Sequence, residues 1–205
     1  MHLLYSTTSP YARKLRVIIA ELGLETRVDF VPVVVMEDPA VLRAANPLIK
    51  VPTLVTGPAP TDAIFDSPVI AAYLLALDPA QSLLPAKGDA HWQALTLEAL
   101  CDGILDAAIA LRFDAAAGGT DRSPFWATRM HNAIDGAVLA LPARLAAYAK
   151  VAGDDFSYAA ACAVIALEYL DFRFPDIDWR ANAPELGAFH ARWADRASLA
   201  TTRPA

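Results

Sequence analysis

The apolar positions of this chain change their period part-way along it, from short strand-like runs separated by turns to long helical stripes. His2 to Tyr5 is an apolar run of β propensity that ends in Ser6-Thr7-Thr8-Ser9 and Pro10, which predicts a strand, a loop and a helix start. From Pro10, Leu15, Ile18, Ile19 and Leu22 recur at helical spacing, and Gly23 stands where a C-terminal cap is expected. Pro10 suits the first helical position, because its missing N–H would have no partner there and its φ is already helical. Arg27 to Val35, rich in valine, predicts a second strand, with Pro32 marking a sheet edge or the strand's end. A short helix from Asp38 to Ala45 follows. Asn46 to Val55 reads as a loop entering a strand, Gly57 to Pro60 as a turn, and Ile64-Phe65 as the returning hairpin partner. Asp66-Ser67-Pro68 then joins an N-cap candidate to a proline at the first helical position, ahead of Val69, Ile70, Tyr73, Leu74 and Leu77.

These elements make one β-α-β, α, β-β-α unit over residues 1–77. Residues 78–88, with Pro79, Pro85 and Gly88, predict a linker. Beyond it the strand signals stop, and residues 89–205 predict an all-helical domain. Its long patterns run from His91 to Ala116, Ser123 to Lys150 and Tyr158 to Phe172, with a shorter one from Pro184 to Arg196. Pro142 inside the second predicts a kink or break there.

Composition narrows the class. At 205 residues, with 56% hydrophobic and 20% charged residues, the chain can bury two cores without metals or disulfides. A net charge of −6 offers no general attraction to phosphate backbones or anionic lipid, which argues against nucleic acid and membrane partners. The N-terminus has no basic region ahead of an apolar stretch and does not read as a signal peptide, so the mature chain is expected to begin at Met1. Tyr158 to Leu170, the most apolar later run, contains Glu168 and is shorter than the ~20 residues of a bilayer span, so it predicts a buried core helix. Cys101 and Cys162 lie far apart within helical patterns, the four histidines show no pairing, and no metal site is expected. A cytoplasmic protein fits this cysteine usage.

Three segments of the first unit carry the candidate chemistry. Ser9-Pro10-Tyr11-Ala12-Arg13-Lys14-Leu15-Arg16 resembles the first-helix motif of bacterial glutathione S-transferases, in which a Ser or Cys stands at the helix start. Asn46-Pro47-Leu48-Ile49-Lys50-Val51-Pro52-Thr53-Leu54 is similar to that family's loop and third strand, and Asp66-Ser67 to its acidic-residue-plus-Ser pair at the third helix. The resemblance spans most of the first 77 residues and implies an α/β thioredoxin-like N-terminal domain followed by an all-α helical-bundle domain. It also implies glutathione as cosubstrate, a small hydrophobic electrophile as the second substrate, a role in detoxification and a homodimer.

Carried over residue by residue, the resemblance implies glutathione contacts at Ser9, Tyr11, Ile49, Lys50, Val51, Pro52, Asp66 and Ser67. Ser9 is implied as the catalytic residue, donating its O–H to the glutathione sulfur. A hydrogen bond to a charged group contributes ~1.5–3 kcal/mol and a favourable helix terminus up to ~2 kcal/mol. Together these lower a thiol pKa of about 8.5 by roughly one to three units, enough to leave the thiol largely ionised near neutral pH. A cis peptide before Pro52 is implied, turning the Val51 N–H and C=O outward to pair with the cysteinyl backbone as an added strand does. Lys50 reaches the glycyl carboxylate, while Asp66 and Ser67 grip the two ends of the γ-glutamyl group. Ile49 departs from the Gly or small residue usual at its position.

Plainer readings stand beside these. Ser9 and Asp66 are also ordinary N-caps, and Val51-Pro52 an ordinary strand entry. Tyr5 rivals Ser9 for thiol activation, with Thr7 and Thr8 behind it. Ser157 predicts a helix cap, but Ala160 replaces the acid that would complete a capping box. Arg13, Lys14 and Arg16 either attract an anionic tripeptide or serve as surface charges and internal ion pairs. Asp102 and Asp106 share a helix face, and Arg112, Trp126 and Tyr169 are candidates for a hydrophobic-substrate site or for core. The competing functions are glutathione-dependent isomerisation or disulfide-bond reduction, and a non-catalytic interaction module on the same fold. A hydroxyl at position 9 cannot form a mixed disulfide, which disfavours reduction through that residue.

Overall fold

The computed structural model describes residues 1–116 and 124–204; the expected helix start at Ser123 and the last residue, Ala205, lie outside them. The chain forms two compact units, one from Met1–Gln81 joined by the segment from Arg196 onward, the other from Ser82–Asp195. The first unit thus takes back the end of the chain, which the sequence pattern assigns to the helical domain.

The first unit is a four-stranded mixed sheet in the order β2-β1-β3-β4, with β1 at His2–Tyr5, β2 at Asp29–Pro32, β3 at Thr53–Val55 and β4 at Ala63–Ile64. β1 runs parallel to β2 and antiparallel to β3, which is antiparallel to β4. Pro32 ends β2 at the sheet edge, where no ladder donor is needed. Alternation along β1 sends Leu4 to one face, where it meets Val33 and Leu42 of α2 (Ala40–Ala45), and Leu3 to the other. There α1 (Pro10–Glu21) packs beside α3 (Ser67–Ala76), burying Leu15, Ile18, Ile19, Ile70 and Leu74. Short 3-10 turns at Val35–Glu37 and Pro60–Asp62 complete the unit.

α1 ends as its sequence predicts. Gly23, at φ +62, takes the left-handed conformation, its N–H donating to Ala20 and that of Leu24 to Ile19. The face of α1 then receives the C-terminal segment, which forms the short α9 (Ala197–Ala200). Arg196 pairs with Glu21 through two bonds of 2.7 and 2.6 Å, and Ser198 donates its hydroxyl to the same carboxylate. Burial works to raise the Glu21 pKa, but the bonds from Arg196 and Ser198 and the Arg196 charge outweigh it and hold it below the ordinary value.

Because the folded-state value is the lower one, the stability this cluster adds is fully present above about 4.3, the ordinary glutamate value, and is lost as pH falls through the lowered one. Glu21→Gln should therefore lower the melting temperature near neutral pH. It should also flatten the loss of stability on acidification, which calorimetry from pH 7 downward measures; parallel curves for variant and wild type would contradict this.

The second unit contains α4 (Gly88–Ala116), α5 (Pro124–Ala152), α6 (Tyr158–Arg173), α7 (Trp179–Asn182) and α8 (Glu185–Trp193). α6 is the buried core helix its apolarity predicts, flanked by α4. Ser157 caps it, accepting from the Ala160 N–H at 3.2 Å, without the reciprocal bond that an acid at position 160 would add. α5 runs uninterrupted through Pro142, so of the expected kink or break the break does not occur; packing against α4 outweighs one missing backbone donor. Among the described residues, no helix is long and apolar enough to cross a membrane.

Candidate functional site

Two helix starts and one loop of the first unit hold the residues singled out above. Ser9 is the N-cap of α1 (φ −79, ψ 118), and its Oγ accepts from the Ala12 N–H at 3.2 Å. The plain capping reading is therefore correct as far as it goes. A serine oxygen that accepts can still donate its own proton, so capping fixes the oxygen and leaves the O–H for another acceptor. Tyr11 follows within the first turn, half-buried. Thr8 lies 3.3 Å from Ser6, hydroxyl to hydroxyl, and Thr7 is exposed.

Tyr5 is placed differently. Its ring stands edge-on to Phe30 of β2 at 5.9 Å, with the Arg16 guanidinium 5.4 Å from its centroid. Arg16 is nearly two turns along α1 from Ser9, a rise of about 10 Å. Tyr5 is thus seated against the body of α1.

The loop before β3 is organised by a residue whose role sequence reasoning missed. Asn46, 1% exposed, donates from Nδ2 to the Lys50 carbonyl at 3.1 Å and to Thr53 Oγ1 at 3.0 Å, and its Oδ1 accepts from the Leu48 N–H at 2.9 Å. Thr53 Oγ1 donates to the same Lys50 carbonyl at 2.8 Å. The Asn-Pro dipeptide is the signal that was available, since an asparagine side chain readily bonds to nearby backbone.

This frame holds Ile49 at φ +53, a left-handed conformation that disfavours a branched side chain by about 1–2 kcal/mol. The Ile49 side chain packs on the Leu4, Val33 and Leu42 cluster, an apolar contact that a glycine could not make. The Val51–Pro52 peptide is cis. Pro52 is buried, Val51 half-buried and Lys50 exposed. Among the described residues, neither the N–H nor the C=O of Val51 has a hydrogen-bond partner.

At the start of α3 the plain reading fails. Asp66 occupies the N-cap position, yet its exposed carboxylate makes no capping bond, and the Phe65–Asp66 peptide is cis. Ser67 beside it is 3% exposed, and its hydroxyl has no hydrogen-bond partner among the described residues. A helix N-terminus, an unused carboxylate and a hydroxyl with no protein partner thus come together, a set suited to a zwitterionic amino-acid end.

The remaining candidates separate. Arg13 and Lys14 are 3% and 2% exposed, inside the fold and not on its surface. Arg13 donates to the Leu199 carbonyl and to Thr202 of the returning segment. In the second unit Tyr169 is buried, its pKa raised by burial against the opposing charges of Arg112 and Arg173, whereas Arg112 and Trp126 are exposed. Asp102 is half-buried and Asp106 exposed. His190 sits 3.1 Å from Glu168, His2 3.3 Å from Asp29, and His91 Nδ1 2.7 Å from the Pro85 carbonyl. No group of metal-ligating side chains occurs among the described residues.

Known proteins resemble the chain along its whole length. Residues 3–82 match the family described as glutathione S-transferase, N-terminal domain. Over its whole length the chain is 33% identical to a glutathione transferase family member from Pseudomonas fluorescens, solved with bound S-(propanoic acid)-glutathione; it covers 100% of that chain with a TM-score of 0.84. A glutathione S-transferase from Methylobacterium radiotolerans, in complex with glutathione sulfonate, is 32% identical, with 99% and 94% of the two chains covered and a TM-score of 0.86. An uncharacterized GST-like protein of Escherichia coli (strain K12), YibF, is 29% identical over 204 residues, 100% of this chain and 98% of its own.

Proposed function

The chain belongs to the glutathione S-transferase family, and from that premise we propose that it binds glutathione through its first unit and activates the thiolate for attack on a small hydrophobic electrophile. The observation that carries this reading is the start of α3, where the Ser67 hydroxyl and the Asp66 carboxylate stand unused beside free backbone N–H groups. The γ-glutamyl end supplies what they lack: its carboxylate accepts from Ser67 and the helix N-terminus, and its ammonium donates to Asp66. The unpaired Val51 backbone takes the cysteinyl residue as an added strand, with Pro52 and Ile49 shaping the loop. Lys50 meets the glycyl carboxylate, and Tyr11 flanks the tripeptide from the first turn of α1.

The sulfur then lies at the start of α1, where Ser9 donates to it. The thiolate forms the new S–C bond, and the displaced electron pair leaves with the electrophile's leaving group or moves along its double bond. Bound glutathione derivatives in the structures of the Pseudomonas and Methylobacterium relatives support the glutathione-binding part of this reading. Family membership extends the proposal to a cytoplasmic homodimer acting in detoxification, which sedimentation at micromolar concentration tests in part; a monomer there removes the dimer.

Isothermal calorimetry decides the binding. The wild-type protein should take up glutathione, and Asp66→Ala should weaken it about 10- to 100-fold, the loss of one charge-assisted bond of ~1.5–3 kcal/mol. No heat of binding with the wild-type protein would falsify the reading.

A further inference from the structure

Arg13 links the first turn of α1 to the end of the chain. Its backbone N–H donates to the Ser9 carbonyl at 3.0 Å, closing the turn that Ser9 caps. Its side chain, 3% exposed, donates from Nη2 to the Leu199 carbonyl at 3.0 Å and from Nε to Thr202 Oγ1 at 3.3 Å. Thr202 is itself tied down, its hydroxyl 2.8 Å from the Ser198 carbonyl and its own carbonyl 3.5 Å from Arg16 Nη1.

A buried guanidinium that leaves these oxygens loses hydrogen bonds that water cannot replace there. The first turn of α1 and the C-terminal segment are therefore held as one piece. Ser9 Oγ is fixed from inside the same turn by Ala12 N–H, so its position follows the turn. A site of this kind needs its donor held to within about 0.5 Å of the productive geometry, which gives the supporting contact catalytic weight.

We propose that Arg13 is a positioning residue for thiolate formation, and that the C-terminal segment, through Leu199 and Thr202, sets the Ser9 hydroxyl against the glutathione sulfur. The inference rests on the function proposed above. The segment's other anchor, Arg196 and Ser198 on Glu21, grips the opposite end of α1 and serves stability alone.

Ultraviolet titration of bound glutathione thiolate in the full-length protein tests it, with melting temperature and steady-state kinetics measured on the same samples. Thr202→Val should raise the bound thiol pKa by about half a unit and Arg13→Lys by about one unit or more, with kcat near neutral pH falling in step and the glutathione KM within about two-fold of wild type. Glu21→Gln should lower the melting temperature and leave the thiol pKa where it is. Should Arg13→Lys fail to fold, Thr202→Val decides alone. A depressed thiol pKa in wild type that persists unchanged in Thr202→Val overturns this inference only. An unshifted thiol in wild-type protein with glutathione bound overturns the proposed thiolate activation and this inference with it.

Discussion

Replacing Tyr158 by phenylalanine is expected to destabilise the helical unit by about 1–3 kcal/mol, the cost of removing one partner of a buried hydrogen bond. Tyr158 opens α6 at 1% exposure and donates its hydroxyl to Oε1 of Glu98 on α4, itself 5% exposed, through a short bond. Burial, then the charges of Cys162 and Glu98, push the phenol well above its usual pKa, so it stays protonated and remains the donor. Phenylalanine keeps the ring's packing and removes only that donor. Adding Glu98→Gln to Tyr158→Phe should recover about 1 kcal/mol, because an amide costs less to bury than a carboxylate that has lost a donor. Urea unfolding followed by far-ultraviolet circular dichroism measures both. A Tyr158→Phe variant within about 0.5 kcal/mol of wild type would mean that the pair carries no such weight.

Elements whose signals are local were legible in the sequence. α1 was announced at both ends, by Ser9-Pro10 and by Gly23, and the structure caps it with those residues. β2 was read with Pro32 as its edge or end, and the residue proves to be both. What could not be read were features decided by distant parts of the chain. The short helices α7 and α9 have too few residues to show a period, and α9 exists where Arg13 and Glu21, far away in sequence, offer partners. For the same reason the sequence left Arg13 and Lys14 open between ligand attraction, surface charges and internal ion pairs. Only the return of the chain end covers that face of α1 and turns Arg13 into an anchor.

The site divides in the same way. Its positions at helix starts and before Pro52 followed from short motifs, but the state of each side chain did not. Ser9 and Asp66 carried equal N-cap signals, yet Ser9 caps and Asp66 does not. Asn46 was visible only as part of a motif, because its worth lies in bonding both Lys50 and Thr53 at once. Ile49, out of place by the family pattern, keeps the left-handed turn because its side chain has an apolar cluster to enter.

Ser9→Ala is the second change expected to act strongly, and it acts on chemistry more than on binding. The tripeptide would still be held at Asp66, Ser67, Lys50 and Val51, so glutathione affinity should stay within a few-fold of wild type. Two contributions leave with the hydroxyl. The cap bond to Ala12 is worth about 1 kcal/mol of stability, which lowers the melting temperature modestly. The O–H donated to sulfur is worth ~1.5–3 kcal/mol, which at 1.36 kcal/mol per unit raises the bound thiol pKa by about one to two units. Conjugation near neutral pH should fall about 10- to 100-fold and recover as pH is raised past the new pKa, since the thiolate population is what was lost. Ser9→Thr should restore both properties, because threonine keeps the cap acceptor and the O–H. Tyr5→Phe should leave the thiol pKa unchanged, its ring being committed to Phe30 and Arg16. The opposite pattern, an unshifted thiol in Ser9→Ala and a raised one in Tyr5→Phe, would transfer the activating role to Tyr5.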